Sequence, residues 1–480
     1  MSEILIAILI TATTAVMLGG LVWARRGRRP LAALIFGICL LYELGFVDMP
    51  MVYSLISGFK FEAQMVEVAK ASELVEMLLG EFLYVATFTS MFVLFESTRE
   101  RRTVASEVQI TPESKRLLMI LSCLGAVIAI STLVSPMQTL TEGSEHMLAK
   151  TYSGPGDVIF TWLQAGFWCS GLYAGGVLFV APFSSRLGRL IGLAAVVPLG
   201  IFGMLSGVRG RVIWAVMSVM IAGVMFRAKT KVKMALCGLV IALPFFALMG
   251  NLDFRYLVAA QLGGKSLFEV IPLLTRAQSL MMGGSGAGGM AESLVGRAMG
   301  PRNSVILYRL YDRGEGCGSA AITSSIYLPI PRFIWAHKRP AGSCDATEVG
   351  GAMYQVMSYG YGTPPWVMGP YLASAHAYYE GGWVLVIVFG MVIGGIWSMI
   401  SAFAERRPLG VAIVYIMVFL SAFTLDGFFT GIAPVHEFIR TLWLAFVPLL
   451  FLEKIVYMTV GQRMRPSNRY PSSISQAVGN

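Results

Sequence analysis

Runs of about twenty apolar residues, broken by short polar clusters, recur along most of the chain. A helical run of that length spans about 30 Å, the thickness of a bilayer's hydrocarbon core. Eleven such spans are predicted, over 4–23, 31–50, 75–95, 117–136, 157–181, 190–205, 212–226, 234–250, 382–403, 409–428 and 438–459. The pair 190–205 and 212–226 is short, but basic residues flank both outer ends, Arg186 and Arg189 before it and Arg227 to Lys233 after it. The pattern predicts an all-α polytopic membrane protein. Residues 1–250 hold the first eight transmembrane helices, 251–370 a large extracytoplasmic loop, 371–460 the last three helices, and 461–480 a polar cytoplasmic tail that is expected to be disordered.

Composition narrows the class. Of 480 residues, 56% are hydrophobic and 13% charged, with a mean hydropathy of +0.69. Soluble domains carry nearer a quarter charged residues, so a soluble enzyme, a disulfide scaffold and a disordered chain are excluded. The net charge of +10 would raise nucleic acid as a partner of a soluble protein. In a membrane protein it raises the question of which side holds the charge. The cluster Arg25-Arg26-Gly27-Arg28-Arg29 follows the first apolar run, so that run reads as an uncleaved span with the N-terminus outside. Threading from there gives the cytoplasmic segments 21 of the 37 Lys and Arg but 6 of the 27 Asp and Glu. The basic excess is then a topology signal under the positive-inside rule, with the C-terminus cytoplasmic and no nucleic acid implied.

The large loop reverses the trend locally, with 10 Lys and Arg against 7 acids. Stretches 266–280 and 290–311 read as amphipathic helices able to lie on the membrane, and acidic 54–74 as a short surface helix. Cys39, Cys123, Cys169 and Cys237 fall inside spans as small apolar residues. Cys317 and Cys344 share the outer loop, where an oxidising compartment permits a disulfide. No Cys/His spacing resembles a metal site, and no cofactor is expected. The run Gly283 to Gly289 lacks the Lys-Ser/Thr of a P-loop and reads as a hinge.

Candidate chemistry sits where positive charge lies on the unexpected side. Ser206-Gly207-Val208-Arg209-Gly210-Arg211 forms the outer turn between the two short spans. Arginine at that depth is costly unless it meets an anion or a water-filled cavity, and its fork suits phosphate oxygens. Arg209 and Arg211 therefore read as a pyrophosphate clamp, with snorkelling to lipid headgroups as the plainer alternative. The string Leu328 to Pro340 interleaves Arg332, Trp335, His337, Lys338 and Arg339 with aromatics and prolines. Its cations suit a lipid-linked pyrophosphate, Trp335 a sugar or the membrane surface, and His337 a hydroxyl proton. The plainer reading is an interfacial anchor. Arg302 adds a further substrate-facing cation. Tyr359, Tyr361, Trp366, Tyr371, His376, Tyr378 and Tyr379 crowd the outer end of the ninth span, as a sugar-stacking platform or, by preference, an aromatic belt. Asp426 is expected to pair with Arg440 near the last outer turn.

These motifs resemble those of the Wzy-type polysaccharide repeat-unit polymerases and, more loosely, the O-antigen ligases. The resemblance rests on the Ser206–Gly210 turn before a span and on the string Pro331 to Pro340. It extends to the run from Ser358 to Gly369 leading into Tyr379-Glu380-Gly381-Gly382-Trp383. It implies a metal-independent GT-C-like glycosyltransferase in the bacterial cytoplasmic (inner) membrane, its site facing the periplasm. The substrates would be oligosaccharides on undecaprenyl pyrophosphate, with a chain-length regulator and a flippase as possible partners. Arg209, Arg211, Arg332, Lys338 and Arg339 would stabilise the departing pyrophosphate, with Arg302, Trp335, Tyr361 and Trp366 holding substrate and His337 leading as base. A ligase, a polysaccharide flippase or a structural protein of an export system are the alternatives.

Overall fold

The computed structural model describes residues 2–56, 71–99, 111–134, 155–206, 209–248, 300–314, 316, 335, 372–421 and 442–463. Among these residues the chain is helical, with no strand. In chain order the helices are α1 (Ser2–Arg26), α2 (Pro30–Glu43), α3 (Met49–Ile56), α4 (Ala71–Ser97), α5 (Pro112–Val134), α6 (Pro155–Val180) and α7 (Arg186–Ser206). There follow α8 (Arg209–Met225), α9 (Lys229–Leu248), α10 (Gly300–Asp312), α11 (Ala373–Glu405), α12 (Leu409–Ser421) and α13 (Val447–Arg463). Two π turns, Leu44–Asp48 and Leu442–Phe446, join α2 to α3 and lead into α13.

Each of the eleven apolar segments carries described helix. Among the described residues, α1, α4 and α11 are long and apolar enough to cross a membrane, and shorter apolar helices accompany them. Local chemistry explains several helix starts. Pro30 opens α2, where its missing N–H is no loss. Thr111 caps α5, accepting the Ser114 N–H at 3.3 Å, and Ser185 caps α7, accepting the Gly188 N–H at 3.1 Å.

Two helix groups share the bundle. In one, α4 packs along α11, with α1, α2 and α10 around them. In the other, α5, α6 and α7 pack together with α8 and α9, and α12 and the second π turn link α6 to the first group. Small residues set the closest approaches, as they do where helices pack without a hydrophobic drive from water. A Cβ on Gly125 of α5 would lie 2.8 Å from Gly171 Cα on α6, and one on Gly390 of α11 would lie 2.6 Å from the Tyr84 carbonyl oxygen.

Helix α11 is broken at Gly381–Gly382, where Gly382 has φ +65°. Beyond the break α11 runs parallel to α4. Trp383 lies by Gly80, Gly390 by Tyr84 and Thr87, Gly394 by Phe88, and Ser398 by Glu96. Before the break the order reverses, since Ser374 bonds Glu81 while Tyr378 lies at Glu76. The first turns of α11 thus start deep in the bundle and climb alongside α4 to the break. Helix α10 climbs with them. Its Ser304 Oγ accepts the Leu372 N–H at 2.8 Å, and its Tyr308 stacks on Tyr378 with ring centroids 4.0 Å apart.

This placement corrects two expectations. The stretch 290–311 was expected to lie on the membrane; its part 290–299 lies outside the described residues, while in α10 Ser304 through Tyr308 and Leu310 are all buried. These residues pack against α4, α11 and the first π turn. Tyr378 and Tyr379 are 3% and 5% exposed, so they pack inward instead of forming an aromatic belt. The expected surface helix 54–74 lies outside the described residues for 57–70, as do 266–280, the pair Cys317–Cys344, and Asp426 with Arg440.

Candidate functional site

Charged side chains gather at two levels of the α4–α11 pair. At one level, Arg29 at the start of α2 and Arg99 just past α4 each place an Nη1 3.2 Å from a Glu96 carboxylate oxygen, and Arg29 also donates to the Glu96 carbonyl oxygen. Arg99 also donates to the Ser398 carbonyl oxygen at 2.6 Å, tying α4 to α11. Arg407 grips Glu453 of α13 through Nε at 2.9 Å and Nη2 at 2.8 Å. It lies over the Phe403 ring at 3.5 Å, and the Tyr415 hydroxyl donates to the same carboxylate at 2.7 Å.

The other level lies fifteen residues along α4, about 22 Å away at 1.5 Å per residue. Here α2, the first π turn, α4, α10 and the first turns of α11 bring together Glu43, Asp48, Glu81, His376 and Glu380, all buried. Thr14 of α1 donates to Asp48 at 2.5 Å, and Ser374 donates to Glu81. His376 Nδ1 stands 3.2 Å from Glu380 Oε1, one helical turn on. Toward the edge of the cluster, Arg309 of α10 forks onto Glu73 of α4, with Nε to Oε1 at 2.6 Å, and the Tyr378 hydroxyl donates to Asp312 at 3.0 Å. Tyr308, Tyr378 and Trp383 wall this level, Trp383 standing edge-on to Tyr378 with centroids 5.1 Å apart.

A histidine beside a carboxylate can take a proton and pass it on, and buried acids inside apolar helices mark a polar pathway or site in a bilayer. Among the described residues no group of three or more His, Cys, Asp and Glu is arranged to hold a metal ion. The four described cysteines, Cys39, Cys123, Cys169 and Cys237, are free thiols.

The expected cationic site is placed only in part. Arg209 and Arg211 stand on the first turn of α8, and their side chains lie outside the described residues. Arg302 stands on the first turn of α10, likewise with its side chain undescribed. Trp335 is 45% exposed. Arg332, His337, Lys338, Arg339, Tyr361 and Trp366 lie outside the described residues. The structure brings together residues that were not singled out, Glu43, Asp48 and Glu81, and gives His376 and Glu380 a setting beyond a belt or a motif string. Their signal was present as acids inside the apolar runs 31–50 and 75–95. No family model, curated protein or solved structure matches the chain.

Proposed function

We propose that this chain is a glycosyltransferase of the bacterial inner membrane that polymerises oligosaccharide repeat units carried on undecaprenyl pyrophosphate. The observation that carries the reading is the broken helix α11. Its first turns, next to the motif string Tyr379 to Trp383, carry His376 and Glu380 into a bundle walled by tyrosines and a tryptophan. In the reaction an acceptor hydroxyl oxygen attacks the anomeric carbon of the growing chain. The bond from that carbon to the pyrophosphate oxygen breaks, and the hydroxyl proton leaves to a base. His376, with Glu380 behind it, is equipped for that proton and is a candidate base in addition to His337. Arg209 and Arg211 take the negative charge that develops on the departing pyrophosphate, with Arg332, Lys338 and Arg339. Their place at the start of α8 adds that helix's positive end.

A second reading has one observation in its favour. Glu43, Glu81 and Glu380 are buried along otherwise apolar helices, as in proton-linked transporters. Deletion of the gene, with complementation by wild type and by Arg209→Ala, tests both. A polymerase leaves single repeat units on the surface and loses long glycan, whereas a ligase loses all glycan attached to the lipid core. A transporter traps lipid-linked units in the cytoplasmic leaflet. Full-length glycan at normal level with Arg209→Ala overturns the role of that arginine.

A further inference from the structure

Cations collect at one end of the second helix group, the end that the charge pattern assigns to the cytoplasm. Lys115 and Arg116 stand on the first turns of α5, Arg186 and Arg189 on those of α7, and Lys231 at the start of α9, while Arg227 lies in the turn between α8 and α9. Packing brings these ends together. Lys115 lies over the Phe183 ring at 5.9 Å, Phe183 meets Phe226 edge-on with centroids 5.8 Å apart, and Lys231 lies over Phe179 at 4.1 Å. A Cβ on Gly188 of α7 would lie 3.5 Å from the Met119 methyl carbon of α5. Five of the six cations are exposed and Lys231 is partly so. Among the described residues none of the six makes an ion pair, and the acid at this end of the group is Glu113, a single carboxylate beside Arg116. The first helix group treats the same end differently, since Glu96 and Glu453 match Arg29, Arg99 and Arg407 there.

Helix stability does not account for the unmatched set. Cations at the starts of α5, α7 and α9 oppose the helix dipole. Arg227 has φ +56°, in the left-handed region that glycine or asparagine enters at less cost. A bound anion offsets both disadvantages, and the neighbouring side chains indicate which anion. Leu187 and Leu190 beside the α7 arginines, Val224 before Arg227 and Met234 after Lys231 are all exposed. The cations thus stand where the apolar helix surface ends, at the depth of lipid headgroups, with apolar surface on the same helices for acyl chains. A zwitterionic headgroup sets its own ammonium against its phosphate, so a net negative headgroup fits better. We propose that this end of α5 to α9 binds the headgroup phosphates of anionic phospholipids in the cytoplasmic leaflet, with Arg186, Arg227 and Lys231 as the central contacts. The lipid supplies the negative charge that Glu96 and Glu453 supply in the first group. A headgroup shared by α7 and α9 also ties together two helices that each pack on α8.

The test titrates the purified full-length protein with phosphatidylglycerol and, separately, phosphatidylcholine of the same acyl chains, and counts bound lipid by native mass spectrometry. Wild type is expected to prefer phosphatidylglycerol by about a hundredfold. Arg227→Asn removes one cation while suiting the left-handed turn, and should cut that preference about fivefold. Arg186→Gln, Arg227→Asn and Lys231→Gln together should abolish it. Equal affinity of wild type for the two lipids overturns the proposal, as does a triple variant that keeps the wild-type preference. So does an equal loss in Arg25→Gln with Arg26→Gln, which removes exposed cations of α1, because binding then follows total charge and not this site. Displacement of the lipid by inorganic pyrophosphate at equal concentration also overturns it, because the site then takes a soluble anion. None of these readouts involves glycan, so a failure here leaves the transferase reading to its own test.

Discussion

The two charged levels of the α4–α11 pair solve the same problem in opposite ways. Glu96 and Glu453 are buried at one level, and each is met by arginine, Arg29 and Arg99 for the first and Arg407 for the second. Glu43, Asp48 and Glu81 are buried at the other, where hydroxyls of Thr14 and Ser374 meet Asp48 and Glu81 and Glu43 has no hydrogen-bond partner among the described residues. An acid matched with arginine has one charge state and makes a fixed clamp. An acid buried without a cation bears the cost of its charge alone unless it carries a proton, and a proton can leave. The first level is suited to holding helices together, and the second to chemistry or response.

Breaking the arginine level is expected to have the largest effect. Arg407→Ala strands the Glu453 carboxylate in the bundle and should lower stability by about 3–5 kcal/mol, measured by unfolding in detergent. The double variant Arg407→Met with Glu453→Met removes both charges and should recover most of that loss. The spine between the levels comes next. Gly390→Ala pushes a methyl to within 2.6 Å of the Tyr84 carbonyl oxygen and should cost about 1–3 kcal/mol by forcing α11 off α4. At the acid level, Glu81→Gln should fall within about 1 kcal/mol of wild type near neutral pH, because no arginine loses its partner and the amide keeps an oxygen for Ser374. A loss as large as that of Arg407→Ala would erase the contrast between the levels. Arg309→Ala should have the smallest effect. Its pair with Glu73 is about one-quarter exposed on each side, so the loss should stay below about 1 kcal/mol and shrink as salt is added.

Much of the fold was legible because a bilayer leaves the backbone little choice. Apolar runs of that length must satisfy their own hydrogen bonds, so helix placement follows from the runs alone. The boundaries sharpened where Pro30, Thr111 and Ser185 start helices. The inward turn of α11 was not legible, because Tyr378 and Tyr379 look the same in a belt and in a core. What decides between them is contact with Tyr308 and Asp312, sixty-six residues and more away in the chain. The burial of α10 was hidden for a related reason. Its sequence is amphipathic, and its partners on α4, α11 and the first π turn come from distant parts of the chain. The acids Glu43 and Glu81 were visible as charges in apolar runs, but their meeting is a tertiary fact that neither run contains.

The deep start of α11 bears on how the molecule is made. Glu81 and Ser374 are bonded across 293 positions. A ribosome adding about 5–20 residues each second would leave Glu81 without that hydroxyl for some 15–60 s after its own synthesis. During that interval the N-terminal helices carry an unfinished polar groove, closed only when the chain's last quarter arrives. Truncations before residue 372 should therefore be cleared by membrane proteases even though they contain every helix up to α10.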